Sequence, residues 1–362
     1  MRFKKGEPDL WIFFTTMFLL AMGIVMVFSA SYYDTLEKDP YYYLRKQLTW
    51  AGLGFLAMII LMNLDYFRLK PYLNFLFVVA LLLLIVVLFF EPDKGARRWI
   101  KLGFINIQPT EIMKLSMVLF LAKEFAKKSA QLKYFFTGVG PYLLLLGLVG
   151  GLIMLEPDLG TTLVIAGTMG IMLLAAGLRI RHFCVLGVLG LGAICALIAV
   201  DPTRLKRITG YLDPWAHASK EGYQLINSFY ALGSGGIFGM GLGNSRQKLA
   251  YLPEQNTDFI FAILGEELGF IGAFLVVLLF CIFAWRGYRT ALTSQDVFGS
   301  FLAVGITTLI VLQAFLNMGV VTGLLPTTGI GLPFISYGGS SLFFFMCGVG
   351  ILLNISRYSS HL

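Results

Sequence analysis

Residues 253–285 have the sequence PEQNTDFIFAILGEELGFIGAFLVVLLFCIFAW, in which an acidic segment leads directly into an apolar run. The run from Phe259 to Trp285 is long enough to cross a bilayer, since about 20 apolar residues span its hydrocarbon core. Carboxylates clustered beside such a run are costly and usually serve a function. This stretch therefore predicts a membrane-spanning helix with a functional site at its beginning.

Apolar runs of this kind recur along the whole chain of 362 residues, of which 57% are hydrophobic and 13% are charged, with a mean hydropathy of +0.79. About ten transmembrane helices are predicted, at 11–31, 47–64, 72–90, 109–125, 139–155, 160–178, 183–200, 259–285, 298–318 and 341–356. The first run is too long for the cleaved segment of a signal peptide and is expected to be retained. Residues 1–362 are therefore expected to form one polytopic domain, an all-α integral membrane protein.

The basic residues of short loops predict the orientation, because Lys and Arg collect on the cytoplasmic side. With the N-terminus inside, the short basic loops 65–71, 126–138, 179–182 and 286–297 are cytoplasmic. The C-terminal tail with Arg357 is then inside as well, and the outer segments 156–159 and 319–340 contain neither Lys nor Arg. The predicted topology is N-in/C-in.

Three outer loops depart from this bias, namely 32–46, 91–108 and 201–258. Their basic residues are Lys38, Arg45, Lys46, Lys94, Arg97, Arg98, Lys101, Arg204, Lys206, Arg207, Lys220, Arg246 and Lys248. Two explanations stand side by side. The loops could bind an anionic ligand, or they could be long enough to cross the membrane regardless of their charge.

The long outer loop 201–258, between predicted spans seven and eight, contains an apolar segment at 225–243 with six glycines. Each glycine inside a helix costs about 1 kcal/mol relative to alanine, which argues against a spanning helix. We expect a re-entrant segment, because irregular backbone at membrane depth must line protein or a wet cavity. Its glycine pattern opens no βαβ unit and is not a nucleotide fingerprint, and no nucleic-acid partner is expected.

The acidic segment offers a candidate reactive group. Asn256 or Thr257 is predicted to cap the eighth span, which leaves Asp258 in the first helical turn, where the helix dipole favours a carboxylate. Nearby Arg246 and Lys248 are expected to favour its ionised form. Such a carboxylate could bind a divalent metal, act as a general base or simply cap the helix.

Other acids of this chain have more than one explanation. Glu266 and Glu267, two turns into the eighth span, are expected to pair with an outer-loop arginine, or one of them faces a cavity. Glu111 and Lys114 lie three residues apart and can pair on one helical face, as a structural ion pair or as an active-site wall. Glu156 and Asp158 flank Pro157, where a cap for span six and a site role are both open.

Several further stretches carry a resemblance. Tyr251–Glu254 with Thr257–Ala262 and Glu266–Gly269 resembles the signature of the SEDS proteins FtsW, RodA and SpoVE. So do segments 231–236, 97–100, 108–114, 156–161, 326–329 and 332–341. The order and the predicted side agree over nearly the whole chain. Residues 241–248 resemble the FtsW and SpoVE branch more than the RodA branch.

The resemblance implies a peptidoglycan glycosyltransferase of the bacterial cytoplasmic membrane that polymerises lipid II at the outer face. It implies a class B penicillin-binding protein as partner, divisome or elongasome proteins around it, and a divalent cation, Mg²⁺ or Mn²⁺. The family's essential aspartate falls on Asp258, the expected general base. The expected substrate-binding residues are Arg97, Arg98, Lys101, Glu111, Lys114, Glu156, Arg246, Lys248, Glu254, Ser336 and Ser340, with the metal ligands unknown.

Two other functions are compatible with parts of the pattern. A lipid II flippase would also have broken helices and intramembrane acids, but its polar groups would lie at midplane rather than at the outer ends of the spans. A divisome scaffold would require neither Asp258 nor the basic outer loops. A polymerisation assay distinguishes these alternatives from an enzyme.

Overall fold

The computed structural model describes residues 6–36, 39–92, 95–103, 105–128, 131–132, 134–249 and 251–359. Lys38 and Lys94 of the predicted outer loops, and Lys133 of the predicted cytoplasmic loop 126–138, lie outside the described residues. The α-helices of the described part are α1 Leu10–Ser31, α2 Tyr42–Asn63, α3 Leu73–Val87, α4 Pro109–Lys128, α5 Gly140–Leu155, α6 Leu159–Ala175, α7 Ile180–Val200, α8 Pro202–Leu212, α9 Tyr223–Gly235, α10 Ile260–Thr293, α11 Val297–Val321 and α12 Gly339–Ser356. Strands β1 Ile100–Leu102 and β2 Ile105–Ile107 form an antiparallel hairpin before α4.

The all-α membrane class is confirmed. Among the described residues, eight helices are long and apolar enough to cross a membrane: Leu10–Ser31, Tyr42–Asn63, Tyr66–Val87, Phe135–Leu155, Ile180–Val200, Ile260–Thr293, Val297–Val321 and Gly339–Ser356. The remaining two predicted spans correspond to α6, which is apolar but has 17 residues, and to α4, which contains Glu111 and Lys114. The count of ten spans stays a prediction.

The first and last residues that the structure describes lie at the same end of the helical bundle. The amide of Gly6 donates a hydrogen bond to the carbonyl of Arg357 at 2.7 Å, and Arg286, near the end of α10, pairs with Asp9 at 2.5 Å. Asp258, immediately before α10, therefore lies at the opposite end of the bundle. This arrangement agrees with the predicted N-in/C-in topology, and the assignment of the outer face continues to depend on the basic loops.

Helices α11 and α12 form much of the interior, whereas α7 has no buried residue. Small residues allow α12 to approach α2 closely, since a β-carbon on Gly350 would lie 2.6 Å from the carbonyl oxygen of Met58. Close backbone approach through small residues is a common way for membrane helices to associate. Helix α11 contacts α4, α6, α9, α10 and α12, so it connects the elements that carry the candidate site.

Helix α10 is broken at Gly269, whose backbone angles (φ 67°, ψ −167°) are non-helical. Residues 236–241 pack along the break and pair with it. The amide of Phe270 donates to the carbonyl of Gly236 at 2.8 Å, and the amide of Met240 donates to the carbonyl of Glu266 at 2.9 Å. The segment after α9 thus satisfies backbone groups that the break would otherwise leave unpaired in an apolar environment.

Two sequence expectations about this region need revision. The glycine-rich segment 225–243 is helical in its first half, as α9, and the helix is too short to cross the membrane; its re-entrant character stays a prediction. The predicted cap at Asn256 or Thr257 is wrong, because α10 begins at Ile260 with Phe259 in the cap position. Asp258 therefore precedes the helix. The chain turns early because the amides of Thr257 and Phe259 both donate to the carbonyl of Glu254.

Candidate functional site

The backbone around Asp258 is held by side chains and backbone from other elements. Asn317 of α11 donates its Nδ2 hydrogen to the carbonyl of Asp258 at 2.8 Å. The hydroxyl of Ser336 donates to the carbonyl of Thr257 at 2.5 Å, and the amide of Tyr337 donates to the carbonyl of Asn256 at 2.9 Å. Three consecutive carbonyls are therefore fixed, so the position of the Asp258 side chain is set by tertiary contacts rather than by a helix.

The carboxyl group of Asp258 is half-buried and surrounded by charges of both signs. Burial, followed by the negative charges of Glu254 and Asp158, raises its pKa to about 7, while Arg98 and Arg207 oppose the rise. The expectation that Arg246 and Lys248 keep this carboxylate ionised is wrong, because neither contributes here. A carboxyl with a pKa near neutrality can accept a proton at physiological pH.

Arg98 connects Asp258 to the turn between α5 and α6. Its Nε donates to the carbonyl of Glu156 at 2.9 Å, and its Nη2 donates to the carbonyl of Pro157. Asp158 caps α6 by accepting hydrogen bonds from the amide (3.0 Å) and hydroxyl (2.9 Å) of Thr161. A cap was one of the two roles predicted for the acids around Pro157. Arg98 and Asp158 of this neighbourhood both act on the pKa of Asp258, with opposite signs.

Glu156 differs from its neighbour. It is fully buried, and neither carboxyl oxygen has a hydrogen-bond partner among the described residues. Burial, and then the charge of Asp158, raises its pKa to about 8, against the opposing effect of Arg98. A buried carboxyl without partners is held in its neutral form, because the charged form loses its hydration.

Lys248 and Glu266–Glu267 form a separate buried network. The ammonium of Lys248 lies 2.9 Å from Glu267 Oε1, and the hydroxyl of Ser29 donates to the same carboxylate at 2.7 Å. Glu266 accepts a hydrogen bond from the backbone amide of Arg246 at 2.9 Å. The expected pairing with an arginine side chain is therefore replaced by a lysine and by backbone donors. Lys248 is 1% exposed, and its charge is balanced within the protein.

The remaining predicted basic residues lie at the surface of the same end of the molecule. Arg97 is exposed and donates to the carbonyl of Leu88 at 3.0 Å, Lys101 is exposed on β1, and the side chain of Arg246 is exposed. Among the cations predicted for the site, only Arg98 acts on the pKa of Asp258. Arg207, on α8, also does so and was counted only as a basic loop residue; its position in a long loop gave no signal of this proximity.

Glu111 and Lys114 form the predicted ion pair, with 2.9 Å between Lys114 Nζ and Glu111 Oε2 and both side chains buried. Lys114 also donates to Gln313 Oε1 at 2.7 Å. Gln313 and Asn317 were absent from the predicted site. A signal for both exists, since two amides four residues apart in an otherwise apolar span require partners.

The two predicted serines differ in their contacts. The Oγ of Ser336 accepts a hydrogen bond from the amide of Leu332 at 2.7 Å while donating to Thr257, so it braces segment 332–336 against the Asp258 turn. Ser340 is buried at the beginning of α12, and its hydroxyl has no partner among the described residues. Glu254 accepts a hydrogen bond from the Thr257 hydroxyl at 3.1 Å.

The described residues do not fit a resident metal centre. No group of three His, Cys, Asp or Glu side chains within them is arranged to hold an ion. Mg²⁺ is often held by one or two carboxylates together with substrate phosphates. Any divalent ion at Asp258 would therefore need oxygen ligands from a bound molecule.

The family model of the FtsW, RodA and SpoVE proteins, described as "Cell cycle protein", matches residues 10–361. The stage V sporulation protein E of Bacillus subtilis (strain 168) is 48% identical over 366 residues, covering 100% of both chains. A protein of Geobacter sp. (strain M18) named "Probable peptidoglycan glycosyltransferase FtsW" is 42% identical over 363 residues, covering 98% of both chains.

Solved structures agree with this sequence similarity. A chain of a peptidoglycan synthase complex, described in terms of coordinated polymerization and crosslinking, superimposes with a TM-score of 0.79 at 29% identity, over 97% of this chain and 98% of that one. The rod shape determining protein RodA of Thermus thermophilus superimposes with a TM-score of 0.72 at 29% identity, over 98% of each chain.

Proposed function

The chain belongs to the family of the FtsW, RodA and SpoVE cell cycle proteins, and from this premise we propose that it is a peptidoglycan glycosyltransferase. It polymerises lipid II into glycan strands at the outer face of the bacterial cytoplasmic membrane. The relatives named peptidoglycan glycosyltransferase support the activity. The observation that carries the mechanism is the turn at Asp258, where a half-buried carboxyl has a pKa of about 7.

In this mechanism Asp258 is the general base. It accepts the proton of the acceptor GlcNAc 4-hydroxyl as the oxygen bonds to the anomeric carbon of the donor sugar, and the bond from that carbon to undecaprenyl diphosphate breaks. General-base catalysis works best when the pKa lies near the working pH. The anchored carbonyls of residues 256–258 support this role. A base that is held in place stays aligned with the hydroxyl from which it takes the proton.

The leaving diphosphate requires cationic partners. Arg98 is the strongest candidate, since its charge acts on Asp258 and a guanidinium can bind phosphate oxygens in a bidentate manner. Arg207 faces the same site, while Arg97, Lys101 and Arg246 offer exposed charge at this end of the molecule. We assign Lys248 to the support of the loop, because its ammonium is buried against Glu267. Ser336 braces the Asp258 turn through Thr257, and Glu111 and Lys114 pair with each other, so we assign these three to the support of the site rather than to substrate contact. Ser340 has no assigned contact.

A divalent cation, Mg²⁺ or Mn²⁺, is part of the proposal as an ion brought together with the lipid diphosphate. Its oxygen ligands would come chiefly from that diphosphate, and when bound it would neutralise charge on the leaving group. A class B penicillin-binding protein is the proposed partner, which would crosslink the new strand within a divisome or elongasome. Its support is the similarity to a chain of a peptidoglycan synthase complex.

The decisive experiment uses the purified protein with its class B partner and fluorescent lipid II. Wild type should make glycan polymer, and Asp258→Asn should lose it by roughly 100-fold or more, the usual contribution of a general base. The matched control is Glu91→Gln, a carboxyl-to-amide change at an exposed residue of an outer loop. Full activity of Asp258→Asn would eliminate the base assignment, and a chelator arm with Mg²⁺ or Mn²⁺ restored tests the cation.

A lipid II flippase is the alternative function, and the break in α10 at Gly269 favours it, since broken helices recur in transporters. The two functions differ in a liposome assay. A flippase moves lipid II between leaflets and makes no polymer with any partner. Polymer formed from lipid II presented only at the face of Asp258 supports the enzyme.

A further inference from the structure

Two buried amides of α11 hold the backbone on both sides of the Asp258 carboxyl. Asn317 donates from Nδ2 to the carbonyl of Asp258 at 2.8 Å and to that of Ile330 at 2.7 Å. Gln313, one helical turn earlier on the same face, donates from Nε2 to the carbonyl of Gly331 at 2.9 Å. The two amides therefore bind the Asp258 turn and segment 330–331 to one rigid helix.

Segment 329–331 lies directly against the Asp258 carboxyl. Gly329 has φ of 73°, and a β-carbon there would be 3.7 Å from Asp258 Oδ2. A shift of this segment would therefore change the space beside the reacting oxygen. Misplacement of a reacting group by about 1 Å can cost 100-fold in rate.

The Glu111–Lys114 ion pair determines which way the Gln313 amide points. A lysine ammonium only donates hydrogen bonds, so Lys114, 2.7 Å away, requires the Oε1 of Gln313 on its side. The Nε2 group must then face Gly331. Glu111, 2.9 Å from Lys114, balances the lysine charge in this buried position. Polar contacts thus run without interruption from Glu111 through Lys114 and Gln313 to the wall of the site.

We propose that Gln313 and Asn317 are positioning residues for Asp258, and that the Glu111–Lys114 pair acts on catalysis through Gln313 rather than by touching substrate. This inference rests on the proposed glycosyltransferase activity. It assigns a role to α11, which sequence reasoning left without one. In this account Asp258 contacts the substrate, whereas Glu111 and Lys114 help to orient Asp258.

Steady-state polymerisation of fluorescent lipid II tests the proposal with Gln313→Leu, Asn317→Leu and Lys114→Met. Each is expected to lower kcat by roughly 10- to 100-fold with KM unchanged within about twofold, since alignment rather than binding is lost. The Lys114→Met/Gln313→Leu double variant should be no worse than the worse single one, because both changes remove the same contact chain. Gln313→Glu keeps an acceptor for Lys114 but loses the donor to Gly331, so it should be as impaired as Gln313→Leu.

Thr307→Val is the matched control, a nearly isosteric change at a buried α11 hydroxyl that has no partner among the described residues. Hydrogen–deuterium exchange of peptides covering 326–337, measured on monodisperse protein, gives a second readout if turnover is low. Exchange should be faster in Gln313→Leu than in Thr307→Val.

The outcomes separate the inference from the function on which it rests. A wild type that makes no polymer with its partner overturns the proposed function itself. An active wild type with inactive Asp258→Asn but fully active Gln313→Leu and Asn317→Leu overturns the positioning role. A Lys114→Met variant with raised KM and unchanged kcat, or with losses that add to those of Gln313→Leu, overturns the claim that Lys114 acts through Gln313.

Discussion

Lys248 and Glu267 form a buried ion pair, with 2.9 Å between Nζ and Oε1. Glu267 lies two residues before Gly269, where α10 is broken. The lysine comes from the outer loop and the glutamate from the helix, so the pair fastens the loop onto the helix that follows Asp258. Ser29 of α1 donates to the same carboxylate at 2.7 Å, which adds a third element. The network therefore supports the end of the bundle at which the Asp258 turn lies.

Removal of the lysine charge should destabilise the protein strongly. Lys248→Met leaves the Glu267 carboxylate buried and uncompensated, which typically costs about 3–5 kcal/mol. The double variant Lys248→Met/Glu267→Gln should recover part of this loss. Lys128→Met is the control, because Lys128 is exposed in its pair with Glu124 and surface pairs contribute about 0–1 kcal/mol. Thermal unfolding in detergent checks the order, and an equal loss in Lys248→Met and Lys128→Met would contradict it.

Gly269 should not tolerate a side chain. Its φ of 67° and ψ of −167° lie in a region that is essentially restricted to glycine, and a β-carbon would be 2.3 Å from the amide nitrogen of Gly239. Gly269→Ala should therefore cost about 1–3 kcal/mol or more. Gly52→Ala, in the exposed middle of α2 with open space around it, should instead be neutral or stabilising by about 0.5–1 kcal/mol. Unfolding midpoints measured side by side test the contrast.

The sequence was sufficient to predict the helical membrane fold, but not the contacts that the candidate site residues make. Long apolar runs and the acid block at 254–267 are local properties, so they predicted the spans and pointed to Asp258. The break at Gly269 could not be predicted from the local sequence. The backbone groups that it leaves unpaired are satisfied by carbonyls and amides of residues 236–241, which come from another part of the chain. The partner of Lys248 could not be predicted from the local sequence either. The sequence predicts that its charge is free to bind phosphate, whereas it pairs with Glu267.

The candidate site shows a similar division. Asp158 was expected as a possible cap, since an acid after proline and before an apolar run is a recognisable helix start. The positions of Asn317 and Gln313 beside residues 258 and 331 depend on how α11 packs, and spacing along the chain does not contain that information. The pKa of Asp258 likewise depends on burial and on Glu254, Asp158, Arg98 and Arg207 together.

The rate of polymerisation should rise with pH through about 7, because Asp258 must lose its proton before it can act as a base. Glu254→Gln removes a negative charge that raises this pKa, so the rising limb should move to lower pH. Arg207→Gln removes a positive charge that lowers it, so the limb should move to higher pH. Initial rates from pH 5.5 to 9 at lipid II concentrations well below KM give kcat/KM, which reports the pKa of the free enzyme, and so measure both shifts. Movement in the same direction in both variants would contradict the electrostatic account.

Glu156→Gln should stabilise the protein at alkaline pH. The folded-state pKa of about 8 lies above the ordinary value of 4.5, so the favourable contribution of the neutral carboxyl is complete below about pH 4.5 and is lost as pH rises through about 8. Glutamine has nearly the same shape as the neutral carboxyl and does not ionise as the pH rises. The unfolding midpoint of Glu156→Gln relative to wild type should therefore increase from pH 5 to about pH 8 and then level off. Glu91→Gln, at an exposed position, should show no such trend, and a constant difference for Glu156→Gln would mean that its carboxyl is not held neutral by the fold.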